Sequence, residues 1–159
     1  MRLRQGCRGA WIALLAALAD RLSKLAAAGF GPGRTALIPG VINLRPVTNR
    51  GTAFSLLSGQ SLALTLLTAA LIAALTGWLV ARPDAPRLLR AGLWLVVGGG
   101  LGNLYDRLAR GAVTDFIELA FVRFAVFNVA DVCICAGAAL AVAGAWQADR
   151  KRGSVRDGR

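Results

Sequence analysis

The sequence predicts a mainly α-helical integral membrane protein, with four transmembrane helices and short strands in the outer segments that join them. Three observations lead to that fold class. The 159 residues are 56% hydrophobic and only 17% charged, with a mean hydropathy of +0.57, which excludes a disordered chain and ill suits a soluble domain. Four apolar runs, at 10–28, 61–81, 88–105 and 125–146, each approach the roughly 20 residues needed to cross a bilayer. The 19 basic residues also sort by position. Arg2, Arg4 and Arg8 precede the first run, Arg82, Arg87 and Arg90 lie in a short link, and Arg150, Lys151, Arg152, Arg156 and Arg159 crowd the tail. Basic residues accumulate in this way on the cytoplasmic side of a membrane.

That placement puts the N-terminus, the link and the tail inside and leaves 29–60 and 106–124 outside. Residues 1–146 then form a single membrane-embedded domain, and 147–159 a basic tail expected to be disordered. The first run has a second reading. A basic start, the apolar stretch from Trp11, and Ala17-Leu18-Ala19 before Asp20 also fit a cleavable signal peptide; against it, the apolar pattern resumes at Leu25-Ala26-Ala27-Ala28. In the outer segment 29–60, Leu37, Ile38, Val41, Leu44 and Val47 fall between the breakers Pro39, Gly40 and Pro46, a pattern of short strands and turns. The segment 106–124 is apolar for a loop and partly alternates from Val113 to Leu119, so it is expected against the headgroups or the outer helix ends.

Composition removes several function classes. A net charge of +11 would suggest nucleic acid in a soluble chain, but no basic groove interleaved with aromatics accompanies it, and no nucleic-acid partner is expected. Histidine is absent, which removes Ser-His-Asp and Cys-His catalysis and the common zinc sites; no metal or cofactor is expected. Cys7, Cys133 and Cys135 have neither the count nor the spacing of a disulfide framework. Chemistry is left to carboxylates, amides, hydroxyls, Lys and Arg.

Of the eight acidic residues, Asp84, Asp149 and Asp157 belong to the link and tail, and Glu118 reads as a surface charge. Asp20, Asp106, Asp115 and Asp131 lie in or beside the apolar runs, where ionisable groups are costly and mark function. Asp131, eight residues past Arg123, lies about 12 Å in from the outer end of a helix beginning there. Asp20 has Lys24 one turn on and Asp106 has Arg107 next in sequence, so both are expected in structural ion pairs. Asp115 and Asp131 have no cation within four residues, and Phe116, Ile117, Val129 and Val132 raise the cost of charging them, which marks a candidate acid–base pair. Asn49, Asn103 and Asn128 accompany the carboxylates, and an amide buried near lipid must be hydrogen-bonded. Carboxylates gathered toward one side favour an enzyme over the alternative, a small proton-coupled transporter, which would distribute them across the membrane.

Five blocks carry a resemblance. Asp20-Arg21-Leu22-Ser23-Lys24, Asn49-Arg50-Gly51-Thr52-Ala53-Phe54-Ser55, Gly98-Gly99-Gly100-Leu101-Gly102-Asn103-Leu104-Tyr105-Asp106-Arg107, Val113-Thr114-Asp115-Phe116-Ile117 and Phe127-Asn128-Val129-Ala130-Asp131 resemble, in order, the signature blocks of bacterial lipoprotein signal peptidase, or signal peptidase II. The resemblance implies an aspartic endopeptidase of the bacterial inner membrane, with both termini cytoplasmic and its site near the extracytoplasmic face. Its implied substrate is a diacylglyceryl-modified prolipoprotein, cut immediately before the lipidated cysteine, with membrane lipid around it; the oligomeric state stays open. The implied catalytic pair is Asp115 and Asp131, with Asp20, Lys24, Asn49, Gly51, Asn103, Asp106, Arg107, Asn128 and Ala130 binding or supporting. It also implies a small extracytoplasmic β-sheet and a surface helix over the site. The interval between Asp115 and Asp131 is shorter here than in better-known members.

Overall fold

The computed structural model describes residues 5–31, 33–50 and 61–157, the side chains of 61 and 152–157 excepted. Gly51 lies outside the described residues. In chain order come α1 (Ala10–Ala28), β1 (Thr35–Ile38), β2 (Ile42–Asn49), α2 (Ser61–Ala81), α3 (Arg87–Arg110), β3 (Val113–Leu119) and α4 (Val129–Asp157).

Two helix boundaries differ from the apolar runs, each for a local reason. The third helix passes 105 and ends at Arg110, because the next residue, Gly111, is the first that readily takes the left-handed φ of 70° that closes it. The fourth begins at Val129 rather than 125, since Phe127 is drawn into backbone pairing with Ile117 of β3. It also continues to Asp157, where a disordered tail was expected. Ala145-Trp146-Gln147-Ala148 offers no break, and the Arg150 guanidinium lies 4.1 Å from the centre of the Trp146 ring, so the last turns propagate the helix. By length and composition, Leu62–Ala81 of α2 and Val129–Lys151 of α4 can cross a membrane. The helices α1 and α3 are interrupted by charged residues, several of them turned into the bundle.

The central post is α3, which contacts the other three helices and β3. Its buried Gly92, Gly98, Gly99 and Gly102 let backbones approach closely. A Cβ on Gly92 would lie 2.5 Å from the Gly137 carbonyl and the Ala141 nitrogen of α4. Against another face of α3, α1 lays one buried stripe, Ala13, Ala16, Asp20, Lys24 and Ala27, at helical spacing. It thereby packs as part of the core on both sides of the Ala17-Leu18-Ala19 stretch. Ala13, Leu79, Trp94 and Val97 form the apolar cluster between α1, α2 and α3, and Ala27, Leu44 and Phe116 join α1 to the sheet.

Arg90, counted above among the link cations, is instead buried in the first turn of α3. Its guanidinium donates to the carbonyls of Leu79 (2.7 Å), Arg82 (2.6 Å), Gly6 (2.6 Å) and Arg8 (3.2 Å), and the Trp94 indole donates to Arg8 as well (3.1 Å). A cation set against the carbonyl end of α2 satisfies orphan acceptors and meets the negative end of the helix dipole. The signal was the spacing, since Arg90 and Trp94 stand one turn apart on one face.

The three strands form an antiparallel sheet in the order β1-β2-β3. Gly40, at φ 75°, makes the β1–β2 turn that Pro39-Gly40 foreshadowed. Pro46 does not break its strand: the β2–β3 register shifts between Leu44 and Val47, a bulge that absorbs the missing N–H. Glu118 is not an ordinary surface charge. It is 8% exposed and accepts from Arg34, Asn43 and Arg45, tying β3 to β2 and to the chain before β1. The Arg34 hydrogen bond holds its carboxyl down at about 2. Residues 120–128, between β3 and α4, are extended or bent without helix, so the surface helix is not in this segment; residues 51–60 lie outside the described residues.

The glycine seam yields a paired prediction. Gly92→Ala forces a methyl onto the α4 backbone and is expected to destabilise the fold by about 1–3 kcal/mol. Gly77→Ala in α2, where a Cβ would meet nothing within 4 Å, is expected to be neutral or stabilising by up to about 1 kcal/mol. Thermal unfolding of the two variants in detergent measures the difference.

Candidate active site

The site begins with a buried ammonium. Lys24 of α1 is 2% exposed, and its Nζ lies 2.8 Å from Asp20 Oδ2, 3.0 Å from Asp106 Oδ2 and 3.1 Å from Asn103 Oδ1. The Asp20–Lys24 pair is the one its spacing predicted. Asp106 departs from expectation: its cations are Lys24 and, at 3.7 Å, Arg21, not Arg107. Successive residues on a helix point about 100° apart, so sequence neighbours do not pair there. Arg21 carried no sequence signal for this role, because its partners Asp106 and Tyr105 lie over eighty residues away.

Each acceptor around Lys24 reaches onward. Asp20 Oδ1 takes the backbone N–H of Ala130 at 2.9 Å, placing a carboxylate at the N-terminus of α4. Asp106 Oδ2 takes the N–H of Thr114 at 3.1 Å and so holds the start of β3. Asn103 Oδ1 also accepts from Asn128 Nδ2 at 3.0 Å, while its own Nδ2 donates to Asp131 Oδ1 at 2.8 Å.

Asn128 and Asp131 make a reciprocal cap at the start of α4. The Asp131 N–H donates to Asn128 Oδ1 at 3.0 Å, and the Asn128 N–H donates to Asp131 Oδ2 at 3.1 Å, the exchange by which a helix start satisfies two orphan donors. The preceding residue fixes this cap beside β3, since Phe127 and Ile117 exchange backbone bonds of 3.0 and 2.8 Å. Asp115 stands two residues before Ile117 on the same strand face. Asn128 Nδ2 reaches Asp115 Oδ1 at 2.7 Å, and Asn49 Nδ2 from β2 reaches Asp115 Oδ2 at 2.8 Å. One amide, Asn128, thus touches both carboxylates of the candidate pair through its side chain and backbone.

The residues singled out in sequence come together from five elements. Asp20, Lys24, Asn49, Asn103, Asp106, Asp115, Asn128, Ala130 and Asp131 are one hydrogen-bonded network. Arg107, in the last turn of α3, is half-buried, and its charge acts on Asp131, Asp115 and Asp106. Burial pushes the Asp115 carboxyl above its ordinary value, and the negative charge of Asp131 adds to that rise, against the opposing hydrogen bonds from Asn49 and Asn128.

A groove of about 570 Å³ opens on Asp115, Asp131 and Asn49 and continues along Val132, Cys135 and Ala136, one apolar face of α4, with Phe124 at its side. The groove is thus polar at the carboxylate end and apolar along α4.

The family model described as signal peptidase (SPase) II matches residues 12–147. The chain belongs to the signal peptidase II family. The lipoprotein signal peptidase of Thermosynechococcus vestitus is 38% identical over 141 residues, which cover 86% of this chain and 89% of that one. That of Gloeobacter violaceus is 37% identical over 144 residues, covering 89% and 83%. Two solved structures of a bacterial membrane enzyme, obtained by the in meso method at 2.3 and 1.9 Å resolution, superpose with TM-scores of 0.77 and 0.75. They are 26% and 28% identical, and each superposition covers more than four-fifths of both chains. The function is that of a signal peptidase II in an integral membrane fold, and the carrier reading falls: the relatives are peptidases, and the carboxylates collect at one end of the helices.

Lys24→Met removes the cation and leaves Asp20 and Asp106 buried without it. The expected loss is about 3–5 kcal/mol of stability, read as a lowered denaturation midpoint in detergent.

Proposed function

We propose that this signal peptidase II is an aspartic endopeptidase whose catalytic pair is Asp115 and Asp131, and that it cuts diacylglyceryl-modified prolipoproteins immediately before the lipidated cysteine. The observation that carries the reading is how the buried and half-buried carboxylates are partnered. Asp20 and Asp106 are held by Lys24, and Glu118 by Arg34 and Arg45. Asp115 and Asp131 are held by neutral amides and both line the groove. An amide orients a carboxylate without neutralising it, which keeps its proton affinity available for chemistry.

Two neighbouring carboxylates that cannot both ionise share one proton, as in aspartic proteases. Charge balance agrees: Lys24 and Arg21 offset Asp20 and Asp106, and Arg107 with one shared proton offsets Asp115 and Asp131. The ionised member of the pair takes a proton from water as the water oxygen attacks the scissile carbonyl carbon, while the protonated member gives its proton to the carbonyl oxygen. On collapse the C–N bond breaks, the leaving amine of the cysteine receives a proton from the pair, and the new carboxyl group departs with the signal peptide. The titration belongs to the pair, so neither residue is base in isolation. The apolar ramp of Val132, Cys135 and Ala136 takes the lipid-bound part of the substrate and aligns the peptide bond with the pair.

The membrane layout belongs to the same proposal. Four helices span the bacterial inner membrane, α1 and α3 keeping their charges inside the bundle. The basic N-terminus, link and tail are cytoplasmic, and the pair lies toward the extracytoplasmic face. Residues 1–146 are the peptidase domain and 147–159 its basic cytoplasmic extension.

Asp115→Asn and Asp131→Asn are each expected to lower cleavage of a diacylglyceryl precursor peptide by at least about 10²–10⁴-fold with the protein still membrane-inserted; processing near the normal rate in either variant refutes the pair. A second measurement follows Asn49. Its N–H favours the charged form of Asp115, so Asn49→Ala raises that carboxyl further and moves the alkaline limb of the pH–rate profile to higher pH. An unmoved or lowered limb contradicts the role of Asp115 in holding the proton.

A further inference from the structure

The groove of the carboxylate pair does not end at its polar mouth. Past Leu119 and Phe124, which line both, a second groove of about 610 Å³ opens beside the sheet. Phe124 is set there by an edge-on contact with Phe127, ring centres 6.0 Å apart. Glu118 and Leu119 stand three and four residues past Asp115 on β3, so this groove begins about 10–13 Å from the pair along the strand. An extended peptide covers that distance in roughly three to four residues.

The two grooves differ in chemistry. The first is apolar along α4, whereas the walls of the second carry Arg34, Asn43, Glu118 and Arg123. The Glu118 carboxylate already holds two guanidiniums, that of Arg34 at 2.5 and 2.8 Å and that of Arg45 at 3.2 Å. Both side chains stay open to water, Arg34 at 62% and Arg45 at 44% exposure, and each keeps donors for a further acceptor. Arg123 is exposed and makes no hydrogen bond or ion pair among the described residues. Three cations thus stand in or beside the groove against one carboxylate, which leaves a positive field along its walls.

The apolar stretch of a signal peptide stays with lipid and finds nothing to pair with such charges. What leaves the cut toward water is the chain that follows the lipidated cysteine. We propose that the second groove binds this mature chain in extended form, and that Arg123 and Arg34 select acidic side chains at its third and fourth residues, the cysteine counted as the first. The inference rests on the substrate reading above and deepens it, and it does not depend on which carboxylates are catalytic.

The full chain in detergent, assayed on three diacylglyceryl-modified precursor peptides identical through the cysteine, tests this. They carry Asp-Glu, Ser-Ser or Lys-Lys at the third and fourth positions. KM is expected to be about fivefold lower for the acidic peptide than for the neutral one, and higher for the basic one, with a common kcat, the pattern of contacts made equally in ground and transition states. Salt at about 0.5 M should erase the order, and the acidic pair moved to the tenth and eleventh positions should confer no gain. Arg123→Glu, at an exposed site without partners, should reverse the order in favour of Lys-Lys. An order carried by kcat, a gain kept at the distant positions or an order unchanged in Arg123→Glu each overturns the proposal. So does equal KM for the three peptides with phosphatidylglycerol held by the chain and lost in Arg123→Glu, which would give the cations to a lipid headgroup. Cleavage of none of the peptides overturns the substrate reading and this inference with it, whereas cleavage of all at equal KM overturns the inference alone.

Discussion

Lys24 is 2% exposed, so its three N–H groups must be met from within the fold, and the acceptors they find bring α1 and α3 into register. Asp20 and Lys24 come from one helix, Asn103 and Asp106 from the other. Each acceptor has a further capacity directed at a different element: Asp20 at the start of α4, Asp106 at the start of β3, Asn103 at Asp131. A buried charge without partners is far more costly than any single neutral contact. That inequality makes the arrangement hard to loosen one bond at a time, and it places β3 and α4 as a by-product.

The interior therefore separates two kinds of acid by the chemistry of their neighbours. Those around Lys24 are neutralised and become scaffold. Those around Asn49, Asn103 and Asn128 are oriented by amide dipoles and face the groove. The separation is spatially tight, since Asn103 belongs to both sets: its oxygen accepts from the ammonium while its nitrogen donates to Asp131. Amide polarity passes the effect of the cation to the groove without passing its charge.

Much of this was legible in the sequence where the cause was local. Apolar length marked the helices, Pro39-Gly40 marked the strand turn, and the Asp20–Lys24 spacing fixed an ion pair one helical turn long. Apolar flanks and the want of nearby cations drew attention to Asp115 and Asp131. The rest depended on contacts between distant segments. The partner of Asp106 was misread because Arg107 is adjacent in sequence but not in direction. Arg90 looked like a link charge until its carbonyl acceptors came from Gly6, Arg8, Leu79 and Arg82. Glu118 looked like surface until Arg34, Asn43 and Arg45 converged on it. No local pattern encodes such meetings, because they follow from topology.

The reciprocal cap at Asn128 and Asp131 has a consequence for the life of the chain in the cell. The same atoms begin the last helix and complete the proposed pair, and they stand ready only after the first helix, the third helix and the sheet have supplied Asp20, Asn103 and Asp115. On that proposal, a chain still threading into the bilayer has not yet brought its pair together: assembly itself serves as the safety catch.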